Sequence, residues 1–472
     1  MVARPTNTTM AIPRSTGKTP TEELLAALCE QSFLKLWSYS NPHRDDGKEL
    51  CDLLAVFENQ VFVFVDRESR KLQSDDATLT DWHRWKREAI DAQVRSVHGA
   101  ERYLKMGRPV FLDAALTVPF PINIELANAT FYKIVVAHGA KKACEKFSSQ
   151  NVYGSLAISY ADQDIGSPGP FMIHLDRRNP VHLFDTHNLP ILLGELNTIQ
   201  DFSSYLEAKH VALQKYSHLS YCGEEDLLAH YLFNIDDVTK GHFIGPKQGD
   251  YDSIMIGEGE WKDFIQLPQY KNKKKADEVS ELWDDIIQRT CQHALDGTYV
   301  GTSNVLQGRS AIHEMAKEPR FVRRGLSDRM VTAIREFPES PAKLMRKLTY
   351  MESFYAGKAY VFLQLKVADQ GDYETEYRPK KQAMLEIACA AAKLKFPQPH
   401  TVIGIAIEAP KYSGGRNAED FILMDCSNWT EEIRQHYEEA NEHLRFFKSA
   451  GQSSGTTQLF EFPLDDSENK RA

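Results

Sequence analysis

The chain reads as a mixed α/β protein, and three features of the sequence carry that expectation. Two strand-like apolar runs, 51–57 and 61–66, are separated only by Glu58-Asn59-Gln60, which predicts an antiparallel hairpin. Residues 80–106 place Trp82, Trp85, Ala89, Val94, Val97 and Leu104 at helical spacing, and Gly107 and Pro109 close the pattern. Farther on, strand-like runs at 359–367 and 401–407 alternate with helical patterns, as layered α/β folds require.

Taken in order, residues 1–20 are rich in Thr and Pro and predict a disordered leader. A helix is expected over 21–37, with Leu24, Leu25, Leu28 and Phe33 on one face, before a turn at 41–47. With the hairpin, the long helix and strands at 109–112 and 132–137, these make an α/β domain over 21–140. A mixed region over 141–270 follows, with strands at 156–160 and 181–184 and helices at 199–215 and 224–233. The basic run Lys271–Lys275 reads as a solvated linker. A C-terminal helical and α/β domain over 276–448 has helices expected at 276–295, 328–337, 340–356, 379–396 and 429–447. The Ser-, Gly- and Thr-rich residues 449–472 read as a loose tail, and no repeat of fixed period is visible.

At 472 residues the chain exceeds one ordinary core, so two or three domains are expected. Its net charge of −10 argues against nonspecific coating of nucleic acid but leaves room for a local basic face. Seven scattered cysteines without a CxxC pair suit a reducing compartment, and a cytoplasmic location is the expectation. No apolar run approaches the roughly 18 residues that span a bilayer.

Chemistry is concentrated between residues 47 and 67. Glu49 and Asp52 stand three apart immediately before the apolar hairpin, whose second run ends Val65-Asp66-Arg67. Carboxylates at a sheet edge are hard oxygen donors of the kind that hold Mg²⁺ or Mn²⁺ together with a substrate phosphate. This segment resembles the PD-(D/E)xK, restriction-endonuclease-like superfamily, and within it the nuclease-related domain, over roughly residues 20 to 140. The resemblance implies a divalent-metal-dependent endonuclease. In it Glu49 matches the first acid and Asp52 the metal-binding Asp, Val65 falls where a second acid belongs, and Arg67 stands in the place of the lysine. Glu49 and Asp52 would then hold the metal while Arg67, charged at any relevant pH, would clamp a phosphate. Val65 and Arg67 share a strand face and Asp66 points to the other. Asp66 is therefore expected to need a bulge before it could replace the missing acid.

Arg84, Arg87, Arg95, His98 and Arg102 fall on one stripe of the long helix, a pattern suited to a phosphate backbone and equally to a solvated face. With Arg84, Arg87, Arg95 and Arg102 as nucleic-acid contacts, the expected function is a divalent-metal-dependent nuclease or a nuclease-derived nucleic-acid-binding protein, in defence or DNA processing. The rival is a noncatalytic scaffold with a degenerate nuclease fold. Elsewhere, Gln364-Leu365-Lys366 imitates the nuclease hairpin without a preceding acid, and Gly451–Gly455 spells a nucleophile elbow in a low-complexity tail. His313-Glu314 lacks a second His, and Glu224-Glu225-Asp226 reads as the charged first turn of a helix. Glu408 after one C-terminal strand and Glu419-Asp420 before another apolar run could line a pocket, though solvated acids at strand ends are commoner.

Overall fold

A computed structural model describes residues 12, 14–72, 78–147, 154–162, 171–295, 304–368, 371–413, 419–448, 455 and 459–463. It is a mixed α/β protein made of two compact units, residues 11–271 and residues 272–472 with 1–10. The expected separation of 21–140 from 141–270 is not seen. A strand from the second stretch completes the sheet begun by the first, so both belong to one unit.

The first unit opens with helix α1 (Pro20–Phe33), started by Pro20 and by the Thr19 hydroxyl, which accepts the Glu22 amide. Strands β1 (Ser38–Ser40), β2 (His43–Arg44), β3 (Leu53–Phe57) and β4 (Gln60–Glu68) follow. The hairpin forms as expected, with Leu53 opposite Phe64, and Glu58 turns the chain at a φ of 53°. The long helix also forms, as α2 (Leu79–Trp85) and α3 (Ala92–Lys105) joined by a π-helical turn, Lys86–Asp91. Then come β5 (Val110–Phe111), which pairs with β2, and β6 (Thr130–His138). After them lie α4 (Lys141–Phe147), β7 (Ala157–Ala161), β8 (Met172–Asp176), β9 (His182–Asp185), α5 (Asn188–Glu195) and α6 (Ile199–Lys215). The unit ends with β10 (His218–Tyr221), α7 (Glu224–Phe233), β11 (Ser253–Ile256) and α8 (Glu260–Phe264).

The central sheet has the order β1-β3-β4-β6-β9, with β4, β6 and β9 mutually parallel. Alternation decides what each face meets. Phe62 and Phe64 of β4 pack on Phe33 of α1 and Phe202 of α6, and Phe62 also stacks on Tyr132 of β6. On the other face Lys133 of β6 meets Glu101 of α3 at 3.2 Å. A second sheet runs β11-β10-β7-β8.

Helix α9 (Pro268–Asp277) absorbs the basic run expected to be a linker. The second unit contains α10 (Glu281–Leu295), α11 (Asn304–Ala316), α12 (Arg320–Arg335), β12 (Leu344–Glu352), β13 (Lys358–Val367), α13 (Arg378–Lys395), β14 (Thr401–Glu408), β15 (Asp420–Asp425) and α14 (Glu431–Leu444). Its sheet has the order β12-β13-β14-β15. The helix expected at 340–356 is instead strand β12, paired antiparallel along all of its length with β13. Small residues of α13 let it lie close to β14, where a Cβ at Gly404 would come within 2.6 Å of the Cys389 sulfur.

Two segments expected to be loose are in part fastened. Within 1–20, Arg14 pairs with Glu30 at 2.6 Å and Lys18 with Glu49 at 2.9 Å. In the tail, Asn272 donates to the Pro463 carbonyl and Arg324 to those of Phe460 and Glu461. Most of Gly451–Gly455 lies outside the described residues. No disulfide joins the described cysteines, and no described helix is long and apolar enough to cross a membrane.

Candidate functional site

The sheet's hydrogen bonding places the acids. Asp52 is the last residue before β3, and its amide donates to the Phe64 carbonyl. Its carboxylate Oδ2 accepts the backbone N–H of Asp66 at 2.6 Å. Asn41 donates from one Nδ2 to Glu49 at 2.6 Å and to Glu22 at 3.0 Å, drawing the start of α1 and the loop before the hairpin together. Burial, reinforced by the negative charges of Glu22, Glu49 and Asp66, pushes the Asp52 carboxyl up to about 7. The structure therefore brings Glu49 and Asp52 into one acid group, with Glu22 and Asp66 added to it.

Arg67 is not part of this group. Asp66 shares the face of Phe62 and Phe64, beneath α1, whereas Val65 is buried on the α3 face and Arg67 is exposed. The ladder of β4 with β6 runs unbroken past Asp66, while on the β3 side Asp52 and Leu53 both stand against Phe64. The family motif laid on this strand puts its acid at position 65, and the pleat puts the acid one residue later. Glu68, two residues beyond Asp66, is exposed where a lysine would be expected.

Asp66 is held on both oxygens. Thr21 donates its hydroxyl to Oδ1 at 2.6 Å, and His138 Nε2 lies 2.8 Å from Oδ2. His138 ends β6 beside the end of β4, and its Nδ1 lies 3.0 Å from the hydroxyl of Thr186, in the turn between β9 and α5. The Trp85 indole, from the opposite layer, donates to the His138 carbonyl at 2.9 Å. Gly139 follows with a φ of 97°, and a Cβ there would collide with the Ser69 carbonyl. Neither His138 nor Thr186 stands out in the sequence, since only the parallel pairing of β4, β6 and β9 brings them to Asp66.

The arginine stripe lies on α2, the π turn and α3. Arg84, Arg87, Arg95 and Arg102 are all exposed, while Glu101 turns inward to Lys133 and Lys105. Because α3 packs on the face opposite α1, the stripe belongs to the layer across the sheet from the Asp66 carboxylate. It does not adjoin the acid group.

A second group of acids sits at the start of α7. Glu224-Glu225-Asp226 do form the first turn, but they are buried rather than solvated. Glu224 pairs with Lys209 at 2.6 Å and accepts the Tyr205 and Tyr221 hydroxyls, and Asp226 accepts the Gly259 and Trp261 amides. Burial, together with the charge of Asp185, raises Glu225 to about 8. Its Oε1 accepts the Ser155 hydroxyl at 2.5 Å, and its Oε2 meets no donor among the described residues.

The remaining motifs are structural. Gln364 donates to the Ala333 carbonyl and Lys366 to that of Ser340. Glu314 pairs with Lys317 and Lys358. Asp420 on β15 is neutralised by Arg378 and Lys381 of α13, so it does not line an acidic pocket.

Among the described residues, no three His, Cys, Asp or Glu side chains stand close enough together to hold one metal ion. The donor set available is the pair Glu49 and Asp52. Two carboxylates plus water and substrate phosphate suit Mg²⁺. Lys18, half exposed and 2.9 Å from Glu49, is the cation that a metal would displace. In comparisons with known proteins, no family model, curated protein or solved structure matches the chain.

Proposed function

We propose that the 11–271 unit is a divalent-cation-dependent phosphodiesterase acting on nucleic acid, with Glu49 and Asp52 as the carboxylates that hold the cation. The observation that carries this reading is the gathering of Glu22, Glu49, Asp52 and Asp66 at one end of the hairpin, where Asp52 is pushed up to about 7 by burial and its acidic neighbours. A carboxylate buried beside other acids at such cost is a marker of a functional site. Bound there, Mg²⁺ or Mn²⁺ supplies Lewis-acid polarisation of a phosphoryl oxygen and a water of lowered pKa. Asn41 orients Glu49, and the Asp66 amide orients Asp52.

The test is Mn²⁺ binding to the full chain by calorimetry, with cleavage of labelled DNA and RNA measured on the same preparation. Asp52→Ala is expected to abolish both. Equal Mn²⁺ binding by wild type and Asp52→Ala, with no cleavage by either, would defeat the catalytic reading. The exposed Glu68 in the lysine position and the outward Arg67 favour a second reading in that event, a nuclease-derived domain that binds nucleic acid without cutting it.

A further inference from the structure

We propose that Thr186, His138 and Asp66 form a metal-independent nucleophile relay acting on neutral acyl esters. The Asp66 carboxylate, whose side chain is 1% exposed, only accepts hydrogen bonds when ionised, so the 2.8 Å contact fixes the proton of His138 on Nε2. The lone pair of Nδ1 is thereby left facing Thr186, whose hydroxyl lies 3.0 Å away and is its donor. A hydroxyl within reach of a base, with that base oriented by a third group, is the arrangement that activates a nucleophile.

Three further features set the relay apart from a buried structural chain. Thr186 is exposed, whereas His138 and Asp66 are buried, so the hydroxyl end alone is presented to solvent. The far end is braced, by the Thr21 hydroxyl on Asp66 Oδ1 and by the Trp85 indole on the His138 carbonyl. The relay also stands where the parallel strands β4, β6 and β9 end, the edge at which open α/β sheets gather their ligands.

The chemistry of the exposed end selects the substrate. Thr186 Oγ1 is an oxygen nucleophile whose proton His138 Nδ1 is placed to accept, the pairing that serves acyl transfer. A neutral ester presents it with an uncharged acyl carbon. Thr186 Oγ1 attacks the ester carbonyl carbon while its proton passes to His138 Nδ1. The bond from that carbon to the leaving oxygen breaks, and the leaving alkoxide takes the proton from Nδ1. Water then repeats the sequence on the threonyl ester, releasing the carboxylic acid and restoring the hydroxyl. Asp66 is a positioning residue throughout.

This proposal stands apart from the phosphodiesterase reading, and chelation separates the two. The full chain is treated with a neutral fluorophosphonate, which Thr186 would attack with loss of fluoride, and the adduct is mapped by peptide mass spectrometry. p-Nitrophenyl acetate hydrolysis is followed in parallel. The expected result is a single adduct on Thr186 and hydrolysis that EDTA leaves unchanged. Thr186→Ser should retain both, while Thr186→Val, a change at an exposed position, should lower hydrolysis about a hundredfold or more and remove the adduct. Asp66→Asn should remove the adduct and move the His138 ring-nitrogen NMR shifts to the other tautomer, with the near-UV circular dichroism retained. An unlabelled, folded wild type would overturn the proposal. So would hydrolysis undiminished in Thr186→Val, or loss of hydrolysis on chelation.

Discussion

Asp52 carries a charge penalty whose consequences can be measured. Its folded carboxyl titrates near 7 against an ordinary value of 3.8, so folding holds a proton that the unfolded chain releases. That contribution is fully present below about pH 4 and is lost as pH rises through 7, an amount on the order of 4 kcal/mol. Asp52→Asn keeps an acceptor for the Asp66 amide and removes the titration. The variant is expected to melt above wild type at pH 8 and to lose that advantage toward pH 4, checked by thermal unfolding across the range. Saturating Mn²⁺ should raise the melting temperature of wild type at pH 8 and leave Asp52→Asn unmoved. The buried pair of Asp185 and Glu225 extends the window upward. Glu225 is raised to about 8, so Glu225→Gln should flatten the fall in stability measured in urea between about pH 5 and 8. At this scale the sequence is legible in part. Glu49 and Asp52 can be paired from their spacing. Asp66 escapes a motif laid on Val65 and Arg67, because a shift of one residue reverses every side chain of a strand. His138 and Thr186 lie 72 and 120 positions beyond Asp66, at separations that no local pattern records.

Helix α1 serves both the acid group and the relay, since it brings Glu22 to Asn41 and Thr21 to Asp66. Its grip on the sheet is Phe33, fully buried and stacked on Phe62 with ring centroids 5.2 Å apart. Phe33→Ala should cost about 3–5 kcal/mol in urea unfolding, because the cavity is walled by Phe62, Phe64 and Phe202 and cannot collapse readily. A loss below about 1 kcal/mol would mean that α1 is held by its polar contacts instead. Elements with a strong period are readable from the sequence, such as the hairpin, α6 and α7. Strand β12 is not, because Leu344, Leu348 and Met351 also fit a helical face and only the neighbouring β13 decides between the two. The basic run 271–275 misleads for the opposite reason. Lysines are good helix formers, and α9 needs little apolar surface to include them.

Across the whole molecule the charge balance is acidic, at −10, yet Arg84, Arg87, Arg95 and Arg102 make one exposed cationic stripe on the first unit. Such a patch in an acidic protein would bind polyanions locally, and its contribution is separable from the acid group because the two lie on opposite faces of the central sheet. Replacing Arg84, Arg87 and Arg95 together by Glu should weaken DNA or RNA binding across all sequences. It should also make the slope of log K against log salt shallower by about 3, one for each phosphate no longer neutralised. These positions are solvent-facing, so stability should move by no more than about half a kcal/mol each. Mn²⁺ affinity at Glu49 and Asp52 should be unchanged in the same variant, since the sheet stands between. A salt titration with an unaltered slope would assign the stripe to solubility alone, and the proposed phosphodiesterase would then have to engage its substrate on the α1 face.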